Sequence, residues 1–563
     1  MNRRVATGLL ITTLTGLAIF FLWPLGVILQ SALVDAQGHL TSAFLREVFL
    51  HPLYREGLVN AALIAVATTI GCVLIAGPLS FCYARYRFPG RTMFHALVLS
   101  PLLLPPFVGV LGAQMILGRQ GSLNALLLAL GWEGDLPDWL GHGRMIGIIL
   151  MNILHLYPIL YTQLSDLLLE MDPALEEAAA SLGAGPCRRL FRITLPLTRP
   201  GLFAGSSITF IWAFTELGVP LLFDFDRVTS VQIFNGIRDL EGNPYPYALV
   251  LVMLIVTAAL FLLSRLFLIG GTALGGGRAV QSRVLVDPRK TRALLISGAF
   301  LGVSLVALGP HFGVLLLAFA TDWYGSVLPE TLTLRHFNAA LGHDLTLSSL
   351  ANSLRYASAS TLIDLGLGTT VAFVLIRSKA SGRALLDGLM MLPLAVPGIV
   401  LALGYLALAR EGQPFHVLIV GGDPFWLLVI AYAVRRLPYV VRAMTAGLQQ
   451  ISVTYEEAAL SLGAGPARVF GRVTLPLLVP ALLTGGTLAF AFAMLDVSDS
   501  MILAQRTVHF PITKAIYSLA GTIGEGPALA AALGVWSMVF LTALLPGLSL
   551  VIGSGSRRGL SRG

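Results

Sequence analysis

The chain has 563 residues, of which 56% are hydrophobic and only 12% are charged. That is about half the charge of an ordinary soluble domain, which excludes a soluble globular class and leaves a polytopic, all-α membrane protein. The net charge of +8 is carried almost wholly by arginine. It reads as the basic bias of short membrane loops rather than as a nucleic-acid surface, because no RNA- or DNA-binding motif accompanies it. Three cysteines, Cys72, Cys82 and Cys187, form no CxxC pair and give neither a disulfide framework nor a metal site.

The first apolar run follows Arg3 and Arg4 and is longer than the core of a cleaved signal, so it is expected to stay as the first span. Apolar windows predict twelve spans. Six lie near 7–30, 57–84, 92–117, 145–168, 201–222 and 247–269; six more lie near 294–320, 350–376, 384–409, 425–446, 481–503 and 527–552. The run "SLNALLLAL" at 122–130 is too short to cross and is expected at the interface or as a re-entrant segment. Basic residues gather in alternate loops: Arg85, Arg87 and Arg91; Arg188, Arg189 and Arg192; Arg377, Lys379 and Arg383; Arg468 and Arg472. Those loops, and with an even number of spans both termini, are expected on the cytoplasmic side.

Residues 1–270 and 294–563 read as two six-span halves joined by a glycine-rich, then basic, linker at 271–293. The halves repeat each other. "FCYARYRFPGR" at 81–91 aligns with "FVLIRSKASGR" at 373–383, 292 residues apart, and at that offset Pro105 meets Pro397 and Gly112 meets Gly404. Beyond the next outer loop, where the first half is about twelve residues longer, the offset falls to 280. Both halves run in the same direction, so the expected pseudo-two-fold axis lies along the membrane normal, with a cavity between the halves.

The closest repetition lies in a polar loop. "EEAAASLGAGPCRRLFRITLPLTRPGL" from Glu176 matches "EEAALSLGAGPARVFGRVTLPLLVPAL" from Glu456 at 18 of 27 positions. Each copy predicts a short helix, Glu176–Leu182 or Glu456–Leu462, with glutamates in the first turn and Gly183 or Gly463 ending it in a left-handed conformation. Gly185-Pro186 and Gly465-Pro466 then turn the chain, and Pro200 or Pro480 is expected to start the next span. A loop repeated more faithfully than the apolar core points to a partner surface.

This pattern resembles the EAA loop of ABC importer permeases. In the first copy Glu177, Ala178, Ala179, Gly183, Ile193, Leu195 and Pro196 carry it, with Glu176, Gly185 and Arg188 alongside. In the second copy Glu457, Ala458, Ala459, Gly463, Val473, Leu475 and Pro476 carry it, with Glu456, Gly465 and Arg468. The resemblance implies the type I importer permease fold and an inner-membrane location. It also implies that each loop is a coupling helix docking on one of two ATP-binding subunits, and that a separate binding protein delivers the substrate. The fused two-half form resembles ferric-iron and thiamine permeases; ferric iron is the expected substrate, with thiamine, a polyamine or a phosphonate left open. No G-x-x-x-x-G-K-[ST] loop occurs, so this chain is expected to hold no cofactor, with ATP and its Mg on the partners, and to be a transport subunit rather than an enzyme. An ion-gradient-driven carrier would explain the duplication but not the repeated loop.

Ionisable residues inside spans are candidates for the pathway. Glu216 and Asp496 lie 280 residues apart, at equivalent depths of spans five and eleven. They either face a cationic substrate across the axis or hold the bundle through hydrogen bonds. Arg435 and Arg436 fall mid-span, where the first half has His155 and Leu156. They either bind an anion in the cavity or pair with carboxylates such as Asp364. His155 reads as a packed polar residue rather than a metal ligand.

Overall fold

The computed structural model describes residues 3–35, 37–237, 243–271 and 285–560. Among them there is no strand, only isolated bridges. Among the described residues nine helices are long and apolar enough to cross a membrane: Arg4–Leu33, Pro52–Arg85, Met145–Glu170, Pro186–Leu222, Tyr245–Ser264, Lys290–Phe319, Asp344–Arg377, Pro466–Met494 and Gly526–Leu544. Two further spans, the third and ninth, are broken. The remaining one, the tenth, is Phe425–Gln450, whose 26 residues equal its counterpart Met145–Glu170. At 1.5 Å per residue it reaches about 39 Å, more than the roughly 30 Å of hydrocarbon, and Arg435, Arg436 and Arg442 are what lower its hydropathy. On span two, Leu63, Val66, Ile70 and Leu74 form one exposed apolar stripe at helical spacing. Water would oppose such a face; lipid accommodates it.

Proline decides where the third and ninth spans break. Both were expected as continuous spans, 92–117 and 384–409. The third is Arg91–Leu103 followed by Pro106–Leu117, and the ninth is Arg383–Leu394 followed by Gly398–Leu408. The bends are 96° and 97°. A residue before proline is pushed out of the α region, and Leu104, before Pro105, is extended at φ −94°, ψ 139°. Pro105 and Pro397 are themselves extended, at ψ 116° and 145°. The fifth and eleventh spans also differ from expectation. They begin at Pro186 and Pro466, pass through π-helical turns at Leu190–Thr194 and Phe470–Thr474, and carry Pro200 and Pro480 inside the helix. A π turn widens the helix by one residue and tolerates the missing proline N–H nearby.

Span six ends at Gly271 and span seven begins at Lys290. Of the expected linker, residues 272–284 lie outside the described residues. Its last part is tied back to the first half: Val286 N–H donates to Arg85 O at 2.9 Å, and Arg87 N–H donates to Val286 O at 3.0 Å.

The first span of each half packs against the broken third span of the other half. Span seven crosses the half-helix Pro106–Leu117 so closely that a Cβ on Gly112 would lie 1.9 Å from Pro310 O. Span one crosses Gly398–Leu408, where a Cβ on Gly404 would lie 2.6 Å from Pro24 O. Proline explains the chemistry of the second crossing. Pro24 has no N–H, so Phe20 O loses its i+4 donor. Tyr405 supplies the replacement, its hydroxyl donating to Phe20 O at 2.5 Å.

Candidate functional site

Each repeated loop forms the same small object. The helices are Pro173–Ser181 and Val453–Ser461, beginning about three residues earlier than expected. Asp172 and Ser452 cap them by accepting from Ala174 N and Thr454 N. Gly183 and Gly463 end them at φ 80° and 84°. Ala184 N–H and Ala464 N–H then bond back to Ala179 O and Ala459 O at 2.9 and 3.1 Å, which closes the six-to-one turn that glycine permits.

The two glutamates of each motif have different jobs. Glu176 turns inward, pairing with Arg85 at 3.0 Å and accepting from the Thr194 hydroxyl at 2.7 Å. Glu456 does the same with Arg377 at 3.2 Å and Thr474 at 3.4 Å. Each loop helix is thereby clamped to the end of span two or eight and to the π turn that follows it. Glu177, Ala178, Gly185 and Arg188, with Glu457, Ala458, Gly465 and Arg468, stay exposed; Ala179 and Ala459 are half-buried. Leu195 and Pro196, and Leu475 and Pro476, lie just past the π turns at the feet of the spans. In these two loops the most exposed apolar groups are Leu182 and Leu462, each 88% exposed. The sequence reading passed over both, although each stands in the "SLG" common to the two copies.

Deeper in the molecule a cavity of about 210 Å³ lies between the halves. Both helix breaks line it, with Leu102 and Pro106 from one and Pro393, Pro397 and Gly398 from the other, together with His155, Glu216, Arg435, Arg436 and Asp496. Trp212 and Phe492, at equal positions of the repeats, meet at 6.4 Å between ring centres, so the pseudo-two-fold axis passes between them. They lie one turn nearer the loops than Glu216 and Asp496.

Spans five and eleven break at those two carboxylates, and each carboxylate caps the short helix that follows. Glu216 Oε1 accepts from Gly218 N at 2.9 Å and Val219 N at 3.2 Å, starting Gly218–Leu222. Asp496 Oδ1 accepts from Asp499 N at 2.9 Å and Ser500 N at 3.1 Å, starting Ser498–Leu503. Polar groups on spans four and ten meet the breaks of spans three and nine in the same paired way. His155 Nδ1 lies 2.9 Å from Pro101 O, a carbonyl at the break. Arg435 occupies the matching place, its guanidinium filling the space where a Cβ on Gly398 would sit.

Here the halves diverge. Arg435 Nη1 reaches both Asp496 and Asp499 at 2.8 Å. Arg436 reaches Asp496 at 2.5 Å and Asp499 at 3.6 Å, and also donates to Phe492 O. The two arginines therefore pair with Asp496 and Asp499, and no ion pair joins them to Asp364. Asp364 is fully buried, and neither of its oxygens has a hydrogen-bond partner among the described residues. Asp499 is the partner the sequence reading missed; it sits three residues past Asp496 in "DVSD", where it looks like a loop residue. Glu216 has no basic partner among the described residues.

Known proteins bear on this geometry. The family model described as binding-protein-dependent transport system inner membrane component matches residues 73–268 and again 364–548, once in each half. A ferric transport system permease of Haemophilus influenzae, provisionally assigned, is 29% identical over 477 residues, covering 82% of this chain and 71% of its own. A ferric transport system permease of Actinobacillus pleuropneumoniae is 28% identical over 518 residues, covering 88% and 71%. A Salmonella typhimurium permease, provisionally assigned to 2-aminoethylphosphonate transport, is 30% identical over 268 residues, covering 47% of this chain and 93% of its own.

Proposed function

The chain belongs to the inner-membrane components of binding-protein-dependent transport systems, and on that premise we propose that it is the whole two-half permease of an ATP-driven importer of ferric iron. The two loop helices are the seats of two copies of an ATP-binding subunit. Each presents an exposed leucine beside a left-handed glycine, and each is clamped to the transmembrane bundle by an inward-turned glutamate, Glu176 or Glu456. Force applied at a seat therefore reaches span two or eight through Arg85 or Arg377, and span five or eleven through the π turn. The loops, the 271–293 linker and both termini face the cytoplasm; a soluble or lipid-anchored binding protein presents substrate on the opposite face. ATP and Mg are handled on the partner subunits, and this chain supplies the path through the lipid.

Iron is supported by the ferric-transport relatives that cover most of the chain. The cavity agrees in sign. Arg435 and Arg436 are neutralised by Asp496 and Asp499, which leaves the Glu216 carboxylate as the group without a basic partner. A cation is the solute that such a site favours.

The observation that carries the reading is the pair of identical seats. Purification of the chain from its native membrane is expected to bring down a stoichiometric ATPase, and Gly183→Pro with Gly463→Pro is expected to abolish that association while the chain stays folded. Retention of the ATPase by the doubly substituted chain would overturn the seats. In proteoliposomes containing the complex, a binding protein loaded with ferric ion is expected to stimulate ATP hydrolysis; stimulation only by a phosphonate-loaded binding protein would move the substrate to the second class.

A further inference from the structure

Arg436 and Asp364 are both incompletely satisfied in the same interface. Arg436 Nε has no acceptor, and Asp364 offers two unpartnered oxygens in the middle of span eight, fully buried. The helices that carry them pack tightly, since a Cβ on Gly368 would lie 2.6 Å from Val440. The repeat gives the direction in which position 364 faces. Its counterpart Cys72 lies on span two with Sγ 3.7 Å from Ile153 O. Ile153 corresponds to Ala433, one helical turn before Arg436 and on the same face. Position 364 accordingly faces span ten at the level of Arg436. The groups that face Arg436 itself are Asp496 and Asp499 at and after the break of span eleven, which it shares with Arg435, and the Tyr432 ring on span ten.

An uncompensated carboxylate in a dry helix interface is costly and persists where it has a second role. Spans eight, ten and eleven bring three acidic side chains and two guanidinium groups, and in this arrangement both guanidiniums are held on the span-eleven side. We propose that Asp364 is a positioning residue of the transport cycle: the alternate partner of Arg436, engaged when span eleven moves relative to spans eight and ten. The inference rests on the permease reading above. In the present arrangement Arg436 bonds to Asp496 and lies 3.6 Å from Asp499; in the other it pairs with Asp364. The two arrangements then differ by an exchange of buried ion pairs rather than by their loss, which keeps their energies close enough for ATP binding to select between them.

The exchange predicts effects of opposite sign. Spin labels at Leu362→Cys and Val479→Cys, both exposed positions of spans eight and eleven, report the separation of those spans in the ATPase-bound complex. The background has Cys72, Cys82 and Cys187 replaced. Distances are read without nucleotide and after trapping with ATP and vanadate. Asp364→Asn removes the alternate partner and is expected to raise the ratio of the population at the resting separation to that at the trapped separation by about ten-fold. Asp499→Asn weakens the present partner and is expected to lower that ratio. Asp364→Glu should keep the wild-type ratio within about three-fold, because the charge is retained. An unchanged ratio in Asp364→Asn, or shifts of the same sign in Asp364→Asn and Asp499→Asn, overturns the exchange. If Asp364→Asn does not assemble, the sign of the Asp499→Asn shift and the behaviour of Asp364→Glu still decide. Failure of wild-type chain to bind any ATPase would instead remove the permease reading itself.

Discussion

The two halves build the same broken-helix frame around the cavity and fill it with different chemistry. In the first half, span four offers His155 and Leu156, and the short helix after Glu216 offers Val219. In the second, the same places hold Arg435, Arg436 and Asp499. The first half closes its breaks with single hydrogen bonds, one from His155 and two to Glu216. The second closes them with a buried network of four charges. Duplication thus fixed the backbone plan, and divergence placed the charge on one side of the axis. A buried ion pair is weak evidence for added stability, because desolvation offsets most of its attraction. The network is better understood as a device that the apolar version of the same site lacks.

Grafting one half onto the other tests that directly, and here the largest effect is expected. Arg436→Leu alone leaves Asp499 without one of its two cations and should cost about 3–5 kcal/mol, read as a fall in the thermal unfolding midpoint of the detergent-solubilised chain. Arg436→Leu with Asp499→Val installs the first-half residues together. It should recover most of that stability while import stays lost. Recovery of import as well would mean that the charges serve only packing.

The interlocked first spans give the next comparison. Gly112→Ala drives a methyl to 1.9 Å from Pro310 O, and backbone cannot step aside as a side chain can; Gly404→Ala meets Pro24 O at 2.6 Å. Overpacking of this kind costs about 1–3 kcal/mol, with Gly112→Ala at or above the upper end and Gly404→Ala below it. Reversal of that order in thermal melts would show that span one, not span seven, is the tighter crossing.

A smaller difference is expected at the loop clamps. Glu176 has shorter contacts than Glu456, and its carboxylate is the more buried, at 6% against 16% side-chain exposure. Hydrogen bonds to charged groups contribute about 1.5–3 kcal/mol, so Glu176→Gln should cost about 2 kcal/mol and Glu456→Gln about half that. Proteolysis at the loops, scored as cleavage rate in each single variant, checks the ratio; equal rates would place the clamps on a par.

Much of this contrast was legible in the amino-acid sequence where the signal is local. Gly183 and Gly463 announced left-handed caps because few other residues adopt that conformation. Pro105 and Pro397 aligned in the repeats, and the rule for residues preceding proline already contained the breaks; reading hydropathy alone smoothed them into continuous spans. Glu216 and Asp496 were found by their common offset, but their capping role was not, since it depends on the chain turning at that point. Asp499 was hidden for the same reason. The crossing of Pro24 with Gly404 and of Pro310 with Gly112 has no local signal at all, because it joins residues some 200 to 380 positions apart.

The two seats should respond alike, and this is the smallest effect on the fold. Leu182 and Leu462 touch little of the chain that carries them, each being 88% exposed, so their truncation to alanine should change thermal stability by no more than about 0.5 kcal/mol. Docked in a partner's cleft, each would become a buried anchor, and losing an anchor weakens an interface by about ten-fold or more. Titration of the purified ATPase against Leu182→Ala, Leu462→Ala and the pair therefore separates the partner interface from the fold. Equal losses from the single substitutions indicate two equivalent seats, as the matched glycine turns and exposures require. A loss from only one of them would mean that the asymmetry of the cavity extends to the loop face, with one seat held and the other free during part of the cycle.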